Sequence, residues 1–435
     1  MSINLKLKNN FYSNLNYREK ITYKIYLFFT ILEGIVFGIT LMNEFVFIRS
    51  LKGSESLVGV LFLLSITVYF ILFISNEITR RIRNKRKLIT ITAIFSRAPL
   101  IGFLFFPDSV NESNSAGLHF FFLILMFLYY LGTAITLPTI NQLLKHNFRN
   151  NNFGKLYGYA TTANKIAAML STLLFGILLD KNYFIFRYVY PAMGILGICG
   201  YIMLSRIPYN SRVVYVREKL SNSLLNSVRR MFKILKNDKA FRDFEIAYFS
   251  YGTAFMFSTT VVTFFLESHL NLSYSVISGY KTLSGAVTFL SLPLFGILMD
   301  KVDQRRFSSF MFSFMLMYLI FIVLTYFYPF GCALFGLNVI LFLFLAFIMY
   351  GLFSSSGTLS WNVGTAFFTK DSQAVGDYHA IHITLTGLRG FLALLGVIIY
   401  QTWGYVATFS ISALFVFLAL LIIEISLKKN PLILK

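Results

Sequence analysis

Charge is scarce in this sequence. Of its 435 residues, 13% are Asp, Glu, Lys or Arg, about half of the roughly 25% usual in a soluble globular chain. Acidic residues are scarcer still, 18 against 39 basic ones, for a net charge of +21. Cysteine is almost missing. Cys199 and Cys332 both lie in apolar segments, which excludes a disulfide framework and a cysteine-based metal site. Only five histidines occur. No GxxxxGK[ST] phosphate loop is present, which excludes a primary pump driven by nucleotide hydrolysis within this chain. The first 20 residues are polar and basic, so no cleavable signal peptide is expected.

What fills the chain instead is apolar. Hydrophobic residues make up 57% and the mean hydropathy is +0.68. Residues 116–144, 246–266, 307–369 and 390–423 contain no Asp, Glu, Lys or Arg. About 20 apolar residues cross the hydrocarbon layer, so the last two runs hold two spans each. The expected fold is all-α and membrane-embedded. Twelve spans are predicted: 22–48, 57–76, 88–106, 117–144, 156–179 and 184–205, then 245–267, 276–299, 307–328, 333–358, 379–401 and 403–425. This divides the chain into a six-helix bundle over 1–205, a linker over 206–243 and a second six-helix bundle over 244–435.

The basic residues sort by side. Thirty-one of the 39 fall at the termini and in loops 2–3, 4–5, 6–7, 8–9 and 10–11; Arg49, Lys52, Lys181 and Arg187 lie on the other side. Cytoplasmic loops collect Lys and Arg, so both termini are expected in the cytoplasm of a cell (inner or plasma) membrane. The positive charge then serves topology and anionic lipid rather than nucleic acid. In the linker, Leu220, Leu224, Val228, Met231 and Leu235 recur at helical spacing between Arg229, Arg230, Lys233 and Lys236, which predicts an amphipathic helix on the membrane face.

One short repeat carries fold information. Phe175–Lys181 reads FGILLDK and Phe295–Lys301 reads FGILMDK, closing spans 5 and 8 on opposite sides. A weaker third copy closes span 11, with Leu395, Gly396 and then Tyr400 where the Asp would stand. Nested inverted repeats of three helices predict this pattern. The second copy continues through Asp300, Lys301, Val302, Asp303, Gln304, Arg305 and Arg306. With Gly296, it resembles the loop signature G-x-L-a-D-R-x-G-R-R of the major facilitator superfamily. The resemblance implies two six-helix bundles related by a pseudo-two-fold axis, and a gating motif of Gly296, Asp300, Lys301, Arg305 and Arg306. There the Gly would admit a close helix approach, and the Asp would accept hydrogen bonds from a helix N-terminus. Loop 2–3 departs from the signature: Arg80, Arg81, Arg83, Lys85, Arg86 and Lys87 are present, but the Gly and Asp are not.

Ionisable side chains within spans are costly and therefore candidates for function. Glu33 and Lys165, after Asn164, both fall about 15 Å from the near span end at ~1.5 Å per residue, and a Glu33–Lys165 pair is one arrangement. Lys281 and Arg389 are expected to lack an acidic partner in their half, whereas Arg97 is expected to pack peripherally in span 3. Three bases against one acid favour a small solute carrying a carboxylate or phosphate. Glu33 is the candidate proton-coupling site. His379 and His382, at i and i+3, are expected at a solvated helix start.

These features predict a secondary transporter that works as a monomer in the bilayer, binds no nucleic acid and needs no cofactor or metal. A lipid flippase of the same fold is the alternative. A membrane-embedded transferase is disfavoured because no histidine is mid-span and no outside loop exceeds about a dozen residues.

Overall fold

A capping box opens the first helix. The Asn16 side chain accepts from the Glu19 backbone N–H, and the Glu19 carboxylate accepts from the Asn16 N–H, which pairs two otherwise orphaned donors. Glu19 also accepts from the Arg149 N–H at 3.0 Å and from Asn152 at 3.1 Å, tying this helix to the start of the fifth. The computed structural model describes residues 15–82, 84–109, 112–209, 220–334, 337–369 and 375–430. Arg83 and the 210–219 part of the linker lie outside them, as do the side chains of residues 72–81, Leu220, Leu224, Asp300 and Cys332.

The first half comprises α1 (Tyr17–Thr40, prolonged by Asn43–Phe45 and a π-helical turn at Val46–Ser50), α2 (Glu55–Arg81), α3 (Lys85–Arg97, followed by the 3-10 segment Ala98–Phe105), α4 (Glu112–Asn147), α5 (Asn150–Lys181) and α6 (Phe186–Leu204). A linker helix, Leu220–Asn237, follows. The second half has α7 (Lys239–Phe264, prolonged by Phe265–His269), α8 (Tyr274–Lys301), α9 (Gln304–Phe327) and α10 (Leu341–Val363). It ends with Val375–Arg389, a 3-10 turn at Gly390–Leu392 and Ala393–Lys429. The last stretch breaks at Gly404, whose φ of 79° and open surroundings mark a conformational role. The break separates α11 (375–403) from α12 (405–429). Among the described residues, ten helical stretches are long and apolar enough to cross a bilayer; the stretch divided at Gly404 and the shorter apolar helix Glu55–Ile71 bring the spans to twelve.

The all-α expectation has one exception among the described residues. Residues read as the start of span 10 form an antiparallel hairpin, β1 (Gly331–Leu334) with β2 (Leu337–Ile340), and α10 begins only at Leu341. Backbone groups at a membrane face need partners. The hairpin pairs its own, and the Ile340 N–H donates to the Tyr280 hydroxyl at 3.0 Å.

Within the first half α1 packs on α5, with Gly34 and Gly38 at the crossing. A Cβ at either would collide with the backbone carbonyl of Asn164 or Ala168, so the two backbones touch as small residues allow. The halves meet along two matched pairs, α5 with α8 and α2 with α11. An even number of spans puts both termini at one end of the bundle; the opposite end is called distal below. The linker helix rests on α7 and α11, with Met231 buried and Arg230 3.4 Å from Asp377. Leu225, Val228 and Phe232 on it are exposed.

Candidate functional site

A cavity of about 330 Å³ lies between the halves, lined from the first by Phe37, Thr40, Glu44, Phe62 and Tyr130, and from the second by Phe255, Thr263, Lys281, Tyr318 and Tyr350, among others. It sits where α1 leaves regular helix. Thr40 ends the α-helix, and Leu41 and Met42 form a turn before Asn43. Irregular backbone at membrane depth is tolerated where it lines a cavity. Lys281 reaches across from α8 and donates to the Leu41 carbonyl at 2.8 Å, with its ammonium 5.0 Å from the centre of the Phe45 ring. Glu44 accepts from the Thr263 hydroxyl of α7. Asn43 is buried and accepts from the Tyr190 hydroxyl at 2.8 Å, which fixes the turn.

Of the five candidate cavity residues, Lys281 lines this cavity, whereas Glu33, Asn164, Lys165 and Arg389 stand outside its lining. Lys165 has its ammonium 5.5 Å from the centre of the Phe37 ring, one of the residues of the cavity wall. Asn164 ties α5 to α1 by donating to the Thr30 carbonyl at 2.7 Å. Glu33 pairs with Arg97 (3.1 Å), not with Lys165, and Arg97 has no exposed surface. The expectation of a peripheral Arg97 is therefore corrected. Its guanidinium stacks on Tyr129 at 4.1 Å, and Gly194 and Gly197 on α6 make room for it. The sequence shows an Arg inside an apolar span and a glycine-rich span 6, but not that the two face each other.

The second half holds a comparable cluster. Arg389 is buried; it donates to the Tyr248 carbonyl and the Thr386 hydroxyl and lies over the Tyr251 ring at 5.7 Å. It also interacts electrostatically with Glu245, so the half does supply an acid. His382 is fully buried and its Nδ1 is 3.0 Å from the Glu245 carboxylate, which corrects the solvated reading of that helix start. No group of three or more metal-ligating side chains occurs among the described residues.

The proposed gating motif is arranged differently from the resemblance. Arg305 is buried against Asp303 (3.1 Å), the Ser426 carbonyl and the Asn430 carbonyl; it binds α9 to the end of α12. Lys301 and Arg306 are exposed. A Cβ at Gly296 would meet nothing within 4 Å, so no helix among the described residues approaches there. Asp300's side chain lies outside the described residues.

The chemistry expected of that motif occurs in the first copy of the repeat. Asp180, closing α5, accepts from the Tyr274 and Ser275 N–H groups at 2.8 Å each, at the N-terminus of α8. Gly176, one turn earlier, admits Ser278 and the Tyr274 carbonyl. Tyr400, in the third copy, donates to Glu55 at the start of α2 at 2.9 Å. Arg49 adds an ion pair to Glu267 at 3.2 Å and a bond to the Leu272 carbonyl at 2.7 Å. All of these bonds join the two halves at the distal end. Sequence reasoning missed Asp180, Glu55 and Glu44 because each falls at or near a span end, where a carboxylate ordinarily meets water.

Comparisons with known proteins agree with this architecture. A family model described as Major Facilitator Superfamily matches residues 25–376. A search of curated proteins finds no match. Among solved structures, the chain resembles the nucleoside transporter NupG, with a TM-score of 0.68 at 13% identity over 94% of this chain and 100% of that one. It also resembles the xylose transporter XylE from E. coli in an inward-open conformation (TM-score 0.66, 14% identity, 94% and 96% covered). A third likeness is the peptide transporter POT in complex with sulfate (0.67, 12%, 94% and 94%). At these identities the likeness is one of fold. With the family model covering most of the sequence, the chain belongs to the Major Facilitator Superfamily of membrane transporters.

Proposed function

We propose that the protein is a secondary active transporter moving a small solute with an anionic group by alternating access, with the proton as coupling ion. The observation that carries this reading is the cavity shared by both halves beneath a distal end closed by bonds that all cross between them. Rocking of one half against the other around a fixed site is the motion such a construction supports. Lys281 is the docking point for the anionic group. Glu33, a carboxylate inside the first bundle, is the candidate proton carrier. The basic-residue asymmetry supports a cytoplasmic face for the termini, and one chain supplies the cavity walls on both sides, in keeping with a monomer.

Counterflow in proteoliposomes tests the reading. Solute exchange across a membrane containing the protein, accelerated by an imposed proton gradient in the wild type and insensitive to it in Glu33→Gln, is the expected outcome. A Glu33→Gln variant that keeps full gradient-driven uptake refutes the coupling role. Absence of exchange for nucleosides, sugars, amino acids and peptides alike refutes the transport reading.

A further inference from the structure

The cavity contains two opposite charges that do not neutralise each other directly. Glu44 arrives from the first half, on the short helical segment after the α1 break, and Lys281 from the second, on α8. Each senses the other's charge. Yet each side chain is held by its own partner, Glu44 by the Thr263 hydroxyl and Lys281 by the Leu41 carbonyl, and no ion pair joins them. Both partners are neutral groups, so both charges stay open to a stronger one. Each of these bonds already has one charged member; a solute carrying both a cation and an anion replaces both partners at once and sets a full opposite charge against each side chain, an attraction that strengthens away from bulk water. Aromatic rings make up much of the remaining wall, with Phe37, Phe62, Phe255 and Phe347 among them, beside the hydroxyls of Ser65, Thr259 and Ser284. The volume, about 330 Å³, is at the small end of ligand pockets, which run from roughly 300 to 1,000 Å³.

We propose that the cavity binds a small zwitterion of amino-acid to dipeptide size, its ammonium on Glu44, its carboxylate on Lys281 and an apolar side chain among the aromatic rings. This rests on the transport reading above and names its substrate class. It also gives the solute a mechanical effect: a carboxylate on Lys281 displaces the Leu41 carbonyl, and with it one tie between the halves.

The test uses the full chain, purified and reconstituted, with L-phenylalanine and L-alanyl-L-phenylalanine as probes. Beside them stand their N-acetyl forms, which keep only the anion, and their amides, which keep only the cation. Calorimetric binding and counterflow should favour the zwitterions by about tenfold or more over both blocked forms. Glu44→Gln should lose the discrimination against the N-acetyl form, and Lys281→Gln that against the amide, each with unchanged thermal unfolding. Should Glu44→Gln fail to fold, Glu44→Asp keeps the charge but draws it back, and should weaken the zwitterions while leaving the N-acetyl form unaffected. Equal binding of blocked and unblocked forms overturns the proposal. So does exchange of a sugar or nucleoside with none of the probes bound, an outcome that leaves the transport reading standing. Exchange of no solute at all removes both.

Discussion

Removing the Asp180 carboxylate should open the distal end. In the structure its two oxygens accept from two consecutive N–H groups at the start of α8, each at 2.8 Å, and these donors belong to the other half. The bonds exist only while the distal end is closed. Their loss therefore acts on the closed state alone and shifts the open–closed equilibrium by its full free energy. The carboxylate plays the part of a helix cap, which is worth ~1–2 kcal/mol on substitution by Ala, and the helix dipole adds to it for a charged group. Partial exposure of Asp180 keeps the sum near ~1.5 kcal/mol, about a tenfold gain in the open population at 1.4 kcal/mol per decade. A cysteine in the cavity wall reads that population. In a Cys199→Ser, Cys332→Ser background, Ser65→Cys should react with a membrane-impermeant maleimide applied from the distal side about ten times faster once Asp180→Ala is added. Asp180→Asn, which retains one acceptor, should fall between. Tyr400→Phe removes the tie to Glu55 on the other helix pair, and its effect should multiply that of Asp180→Ala, since both act on one equilibrium from separate sites. Labelling unchanged within twofold in Asp180→Ala would refute the idea that this bond pair holds the distal end shut.

Two further outcomes follow from packing and charge. Arg97→Gln should lower stability by ~3–5 kcal/mol, because it strands Glu33 inside the first bundle; adding Glu33→Gln should restore at least half of the loss in a detergent unfolding assay, and no recovery would contradict their pairing. Gly34→Val, where even a Cβ meets the Asn164 carbonyl, should cost ~2 kcal/mol or more, whereas Gly296→Ala, which meets nothing, should stay within ~0.5 kcal/mol. A Gly296→Ala variant as damaged as Gly34→Val would mean that a helix does approach there.

The spans were legible because length and polarity alone decide them: uncharged runs such as 307–369 leave no other solution in a bilayer. The doubled FGIL[LM]DK ending was legible as a repeat. What it did could not be read, since the same letters serve two environments. At the distal end Gly176 and Asp180 meet α8; at the other end Gly296 meets none of the described residues and Arg305 turns instead to Asp303. Partner choice among buried charges was also illegible. Glu33, Arg97 and Lys165 lie on three helices whose rotation about their axes is set by packing, and Gly194 and Gly197 on a fourth helix decided which base came inward. The hairpin at 331–340 was hidden because its apolar residues satisfy a span pattern equally well.

The two classes of charged contact fit the motion proposed for the protein. Two ion pairs within a half are deeply buried: Arg97 and His382 have no exposed side-chain surface, and their acids Glu33 and Glu245 show 18% and 3%. Separating such pairs costs several kcal/mol, so each half should move as a rigid body that keeps them. The charged contacts between halves at the distal end lie nearer the bundle surface. Arg49 and Glu267 are 15% and 17% exposed, Asp180 and Glu55 are half-buried near the bundle end, and water can take over each bond as it breaks. Lys281 on Leu41, like Glu44 with Thr263, is an exception, a cross-half bond at the cavity that water repays less readily. A solute is the group best placed to replace it, which makes that bond the point where binding can be felt by the distal closure.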